Sequence, residues 1–181
     1  MNHDEEHWRQ IVERFAQLTR QIAAADVNEI WNYGPELPGA TPSKIEECEA
    51  SQPAPLNSDH KKMLAATDGW QGFYHDVDLF GTDDFVQNEK IEKAWQILEA
   101  ASEGSGGLIS ADRRKHIPIA AASFDIDVFV LELESGVVRW IAGQEIEVFP
   151  SIIAFFEGML HYNEESLAAL QRDPWLGVGS G

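Results

Sequence analysis

Three strand-like runs follow one another in the second half of the chain, with only short turns between them. They cover residues 117–122, 127–134 and 137–142. In the second run Phe129 and Leu131 alternate with Val128 and Val130, as expected of a strand with two distinct faces. A short turn that contains Gly136 joins the second run to the third, which is typical of a β-hairpin. The sequence therefore predicts an antiparallel meander.

Helical patterns flank this meander on both sides. The N-terminal segment repeats apolar residues at helical spacing, and further helices are predicted near residues 43–49, 57–67, 91–98 and 151–160, with a short strand at 77–80. Strict alternation of strand and helix, which would indicate a doubly wound parallel sheet, is absent. The predicted fold class is α+β, with an antiparallel sheet of about four to six strands flanked by helices. The N-terminal apolar stripe consists of Trp8, Ile11, Val12, Phe15, Leu18 and Ile22.

The 181 residues favour one principal domain. Pro35, Pro38 and Gly39 end the first helical region. We predict an N-terminal helical extension over 1–40, a domain over 41–172 and a flexible tail over 173–181.

Cysteine usage and hydropathy indicate where such a chain works. Cys48 is the one cysteine, so an intramolecular disulfide and a cysteine-rich zinc site are excluded. The chain does not start with a basic region followed by an apolar stretch, as a secretory signal would. Its longest apolar stretch, about 149–160, is too short to span a bilayer. These features predict a soluble, cytoplasmic protein.

Negative charge dominates the composition. Asp and Glu number 31 against 13 Lys and Arg, a net charge of −18. Such a field repels phosphate backbones and anionic lipids, so we expect no direct binding to nucleic acid or membranes. Segments 76–92 and 125–147 each carry six acidic residues and one basic residue. Because both include predicted strands, some of these carboxylates should converge on one sheet face or edge. That surface is either a site for a basic partner or a merely solvated acidic face.

Motifs for metal binding and catalysis are incomplete. His3 and His7 have helical spacing for two zinc ligands, but they lie at the terminus and lack the zincin pattern. The Asp pairs 76/78 and 125/127 match no calcium loop and have no partner nucleophile. Gly-rich residues 104–107 lack the Lys of a phosphate loop. We expect no catalytic residue, no metal site and no cofactor.

The candidate site is therefore a protein-binding surface. Trp70, in a predicted turn after Gly69, is expected to be partly exposed, and Trp70 or another aromatic residue is expected to anchor a partner. The carboxylates are expected to steer association and set its orientation. The predicted partner-binding residues are Trp70, Asp76, Asp78, Asp83, Asp84, Asp125 and Asp127.

The order of several short motifs resembles the SUKH superfamily, the group of Smi/Knr-like proteins. The match covers roughly residues 41–160, and Pro55-Leu56 stands where the family usually has Leu-Pro. The motifs are Ala-Thr-Asp-Gly-Trp at 66–70, Ile-Pro-Ile-Ala at 117–120, the strand at 128–133 and the helix at 151–160.

This resemblance implies an antiparallel sheet with flanking helices and no established catalytic residues. Bacterial members of the family often act as immunity proteins that bind and neutralise a toxin, commonly a nuclease. We accordingly expect a non-enzymatic protein whose partner is a basic toxin domain, and which is a monomer or weak homodimer when free. Two alternatives stay open: a regulatory or scaffold protein of cell-wall assembly, and a metal protein or enzyme that uses Asp76, Asp78, Asp125 and Asp127.

Overall fold

The computed structural model describes residues 3–87 and 89–173 and has an α+β fold. The helices of this part are α1 (His3–Ala25), α2 (Pro42–Ala50), α3 (Ser58–Ala66), α4 (Thr82–Gln87), α5 (Glu89–Gly104) and α6 (Ile152–Arg172). The strands are β1 (Trp70–Tyr74), β2 (Val77–Leu79), β3 (His116–Ala122), β4 (Asp127–Glu132), β5 (Val138–Ala142) and β6 (Gln144–Phe149).

The six strands form one antiparallel sheet in the order of the chain, β1 to β6. The predicted hairpin joins β4 to β5, with Val130 opposite Arg139, and Gly136 in its turn has a left-handed φ of +76°. Glycine adopts that conformation without steric cost. The predicted fold class is thus confirmed.

Predicted helix starts occur where small polar side chains cap the first turn. Thr41 accepts a hydrogen bond from the Lys44 backbone N–H, Asn57 from that of Asp59, and Ser151 from that of Ala154. Such side chains satisfy N–H groups that have no partner within the helix. The helix predicted near 151–160 extends further, and residues 152–172 form one continuous helix.

Helices α1 and α6 pack together over one face of the sheet, and α5 packs against β3, β4 and β5 on the other. Aromatic side chains fill the contact between these two helices, α1 and α6, and the sheet. Phe15 of α1 stacks on Phe73 of β1 with ring centroids 4.3 Å apart, and Trp8 meets the edge of Phe156 of α6 at 5.2 Å. The first helix therefore shares the buried cluster of the sheet.

Two predicted segment boundaries concern the ends of the chain. The boundary after residue 40 stays a prediction. The predicted tail, 173–181, lies outside the described residues except for Asp173, which follows α6. Among the helices in the described ranges, none combines the length and apolar character needed to cross a membrane.

Candidate functional site

The turns β1–β2, β3–β4 and β5–β6 all lie at one end of the sheet, because successive strands are antiparallel. Asp76 lies in the first of these turns, Asp125 in the second, and Asp127 is the first residue of β4. We call Asp76, Asp125 and Asp127 the acidic end. Three of the seven predicted partner-binding residues are thus brought together by the fold.

Two apolar side chains project from the β3–β4 turn, residues 123–126. Phe124 is 95% exposed and Ile126 is 52% exposed. Single exposed apolar side chains are common on protein surfaces, as Leu108 at 92% exposure also shows. Phe124 and Ile126 differ in that both lie in one turn beside the carboxylates of the acidic end, which makes this turn a candidate contact surface. Phe124 and Ile126 were not among the residues predicted from sequence.

The backbone of this turn is held firmly although its side chains are exposed. The Asp76 backbone carbonyl accepts a hydrogen bond from Ser123 N at 2.9 Å, and its carboxylate accepts one from Phe124 N at 3.0 Å. Lys93 of α5 donates to the Ser123 carbonyl. Asp76 is therefore both a charge of the acidic end and the support of Phe124, which reduces the ordering cost of binding.

The carboxylates of the acidic end are close enough to influence one another. Burial raises the pKa of Asp127, and the negative charges of Asp125 and Asp76 raise it further. The Trp140 indole N–H donates to Asp127 Oδ1 at 2.5 Å and opposes this rise by stabilising the carboxylate. The fold thus concentrates negative potential beside the exposed Phe124.

This proximity can be measured. We expect Asp125→Asn to lower the pKa of Asp127, because a neighbouring negative charge that disfavours its ionisation is removed. Carbon-13 NMR of the carboxyl groups, followed against pH, would report the change. Glu134→Gln removes an exposed charge from the β4–β5 turn, at the opposite end of the sheet, and should leave the pKa of Asp127 in place. Equal shifts in both variants would show that Asp125 and Asp127 are not specifically coupled.

Asp78 and Asp84 have structural partners. Asp78, 7% exposed, accepts hydrogen bonds from Gly72 N and from Lys90 Nζ, both at 2.9 Å. Lys90 also lies 3.6 Å from Asp84. A buried carboxylate that is paired in this way ties β1, β2 and α5 together. Asp78 is largely unavailable to a partner protein.

Asp83 is separated from the acidic end. It lies in α4, which follows the opposite end of β2 from Asp76. Its carboxylate pairs with Lys44 at 3.2 Å, and Lys44 also reaches Asp68 at 3.5 Å. The seven predicted residues therefore do not form one surface.

The prediction that Trp70 is partly exposed is wrong. Its side chain is 2% exposed, because Trp70 begins β1 and faces the layer of α1, where it lies 5.8 Å from Phe15. A buried indole cannot serve as a surface anchor, and among the described aromatic residues Phe124 occupies that position instead.

A stack of rings supports the β1–β2 turn. His75 lies between Trp31 and Tyr74, with ring centroids 4.1 and 4.0 Å away, and its Nε2 is 2.9 Å from Ser166 Oγ. His75 has a left-handed φ of +52°, which is uncommon for a residue with a side chain. No local pattern in the sequence indicated this stack. The exposure of Phe124, by contrast, had a signal in the sequence, namely apolar residues within a predicted turn.

Carboxylate oxygens are the ligands that hard divalent cations prefer. Within 3–87 and 89–173, no cluster of three or more His, Cys, Asp or Glu side chains is arranged to hold a metal ion. The predicted absence of a cofactor stays a prediction.

The fold and the acidic end together define an α+β protein with a six-stranded meander, one end of which carries carboxylates around an exposed aromatic tip. A comparison with known families finds no family model that matches the chain, and no curated protein matches it.

Proposed function

We propose that this protein is a non-enzymatic, cytoplasmic binding protein of the immunity type, which neutralises a basic toxin domain by covering its active surface. The observation that carries this proposal is the exposed Phe124 on a supported turn beside Asp76, Asp125 and Asp127. The resemblance to SUKH proteins in the sequence motivates the choice of partner.

The chemistry of the acidic end supports a basic partner. A nuclease must present positive charge where it grips phosphate, and carboxylates at the acidic end can occupy that surface in place of phosphate. The negative field would raise the rate of encounter, while Phe124 and Ile126 would supply the apolar area at the centre of the contact. An ordinary tight interface would bury about 1,600 Å² in total.

The proposal is tested on the protein encoded by the neighbouring gene, if that protein contains a basic toxin domain. We expect the two proteins to bind, and we expect Phe124→Ala to weaken binding about 30-fold, the effect of losing a central anchor of about 2 kcal/mol. Asp125→Lys should slow association about tenfold and reduce its salt dependence. Titration calorimetry and stopped-flow fluorescence would measure these effects.

Glu134→Lys is the matched control, since it reverses an exposed charge at the other end of the sheet. Its affinity should stay within about threefold of the wild type, on the scale of a peripheral charge. The proposal is wrong if no neighbouring toxin is bound, or if Glu134→Lys and Asp125→Lys weaken binding equally.

The apolar tip also fits a second function, that of a regulatory or scaffold protein whose partner need not be basic. Phe124 and Ile126 would serve such a contact without electrostatic steering. The salt dependence of binding separates the two functions, because screening weakens only the charge-steered association.

A further inference from the structure

An open groove of about 660 Å³ lies next to the acidic end. One wall is the segment 29–32 that follows α1, and the other is the β3–β4 turn with Phe124. Gln71, Gly72 and Asp78 also line the groove. The groove is therefore continuous with the surface proposed above to bind a partner.

Hydrogen bonds and ring stacking hold the wall formed by residues 29–32 in place. Buried Asp26 accepts hydrogen bonds from Ile30 N at 3.0 Å and from Trp31 N at 3.2 Å. The Tyr33 hydroxyl donates to the same carboxylate at 3.3 Å. Trp31 in turn stacks on His75 with an interplanar angle of 6°. This wall is thus positioned before any partner binds.

The charge lining the groove has one sign. Glu29, Asp76 and Asp78 are acidic, and among the described residues no lysine or arginine lines the groove. Lys90 already pairs with Asp78 from the side of α5, which leaves Glu29 and Asp76 to meet a ligand. A cation that enters here would find negative charge on both walls.

Two aromatic residues also line the groove. Trp31 lies on one wall and Phe124 on the other. A guanidinium group is planar, stacks on aromatic faces and donates several hydrogen bonds to carboxylates, whereas an ammonium group is a compact, strongly hydrated charge. The combination of rings and carboxylates therefore suits arginine better than lysine.

We propose that the groove receives an arginine side chain that projects from the basic partner. This inference rests on the proposed function and adds to it a specific determinant of recognition. The apolar stem of the arginine lies between Trp31 and Phe124, and its guanidinium donates to Glu29 and Asp76. A second copy of this chain is a poor occupant, because each copy carries a net charge of −18.

The probe for this site is N-acetyl-arginine N-methylamide, titrated at constant ionic strength and followed by proton–nitrogen NMR. We expect saturable shifts of the Trp31 indole N–H and of the Phe124 amide. The citrulline analogue has nearly the same shape without the charge, and it should bind at least tenfold more weakly. Absence of saturable shifts at these two groups, or equal binding of the citrulline analogue, would overturn the inference.

Glu29→Gln tests the groove without touching the acidic end, and it should weaken binding of the arginine probe at least fivefold. The control Glu134→Gln removes the same charge elsewhere and should leave the affinity unchanged. Equal loss in both variants would reduce the effect to net charge and overturn the inference. Glu29→Gln could leave binding of the arginine probe unchanged while Asp125→Lys still impairs binding of the toxin domain. In that case the inference about the groove fails and the proposed function stands, so the two failures are distinguishable.

Discussion

Phe15→Ala should lower the free energy of unfolding by about 3–5 kcal/mol, the usual cost of truncating a buried phenylalanine. Phe15 is fully buried in α1 and stacks on Phe73 of β1, and Phe156 of α6 meets its edge at 5.8 Å. Its loss would open a cavity between two helices and the sheet. Urea unfolding of the full chain, monitored by circular dichroism, measures the change.

Gln17→Ala provides the control, because Gln17 is exposed on the same helix and should change stability by less than about 0.5 kcal/mol. This pair of variants also tests the predicted boundary after residue 40. If residues 1–40 were a separable extension, Phe15→Ala would leave the main unfolding transition in place. A large shift of that transition would make α1 an integral layer of the fold.

Because of His60, acidification should lower the free energy of unfolding by about 3 kcal/mol. Its imidazole in α3 is fully buried beside Phe85, and neither ring nitrogen has a hydrogen-bond partner within the described structure. Burial lowers the pKa of His60 from 6.5 to about 4. The unfolded chain therefore binds a proton near pH 6.5 that the folded chain resists, so stability present above pH 6.5 is lost as pH falls toward 4.

Urea unfolding at several pH values between 7 and 4 would show this loss. His60→Leu should remove it, so that the variant gains stability relative to the wild type as pH falls. His161→Gln changes a histidine whose side chain is 68% exposed and should keep the wild-type pH dependence. If His60→Leu lost stability with acid as steeply as the wild type, another group would be responsible. His75, whose pKa is also lowered by burial to about 4, would be the next variant.

The elements with strong local patterns were predicted, and those with weak patterns were not. The strand at 77–80 and the meander over 117–142 correspond to β2 to β5. Strands β1 and β6 were missed. Gly72, with a φ of +65°, lies at an irregularity in β1, and β6 is an edge strand that carries Glu145 and Glu147. Acidic residues and glycine are depleted in strands. Strands β1 and β6 therefore form because they pair with neighbouring strands and not because their own residues favour a strand.

The candidate site shows the same division. Its acidic character was predicted from composition, since segments 76–92 and 125–147 are rich in carboxylates. Which carboxylates meet depends on strand order. Asp76 supports Phe124 across 48 residues of chain, while Asp83 is carried to the far end of β2 although it is only seven residues from Asp76.

The sequence by itself determined the α+β class, the antiparallel meander and the excess of negative charge, because periodicity and composition are local properties that no partner segment alters. The tertiary structure alone decided that Trp70 is buried, that Phe124 is exposed, and that Asp76, Asp125 and Asp127 are neighbours. Burial and proximity arise when strands and helices distant in the chain pack together. A side chain's neighbours therefore follow from the register and order of the sheet rather than from its own residue type.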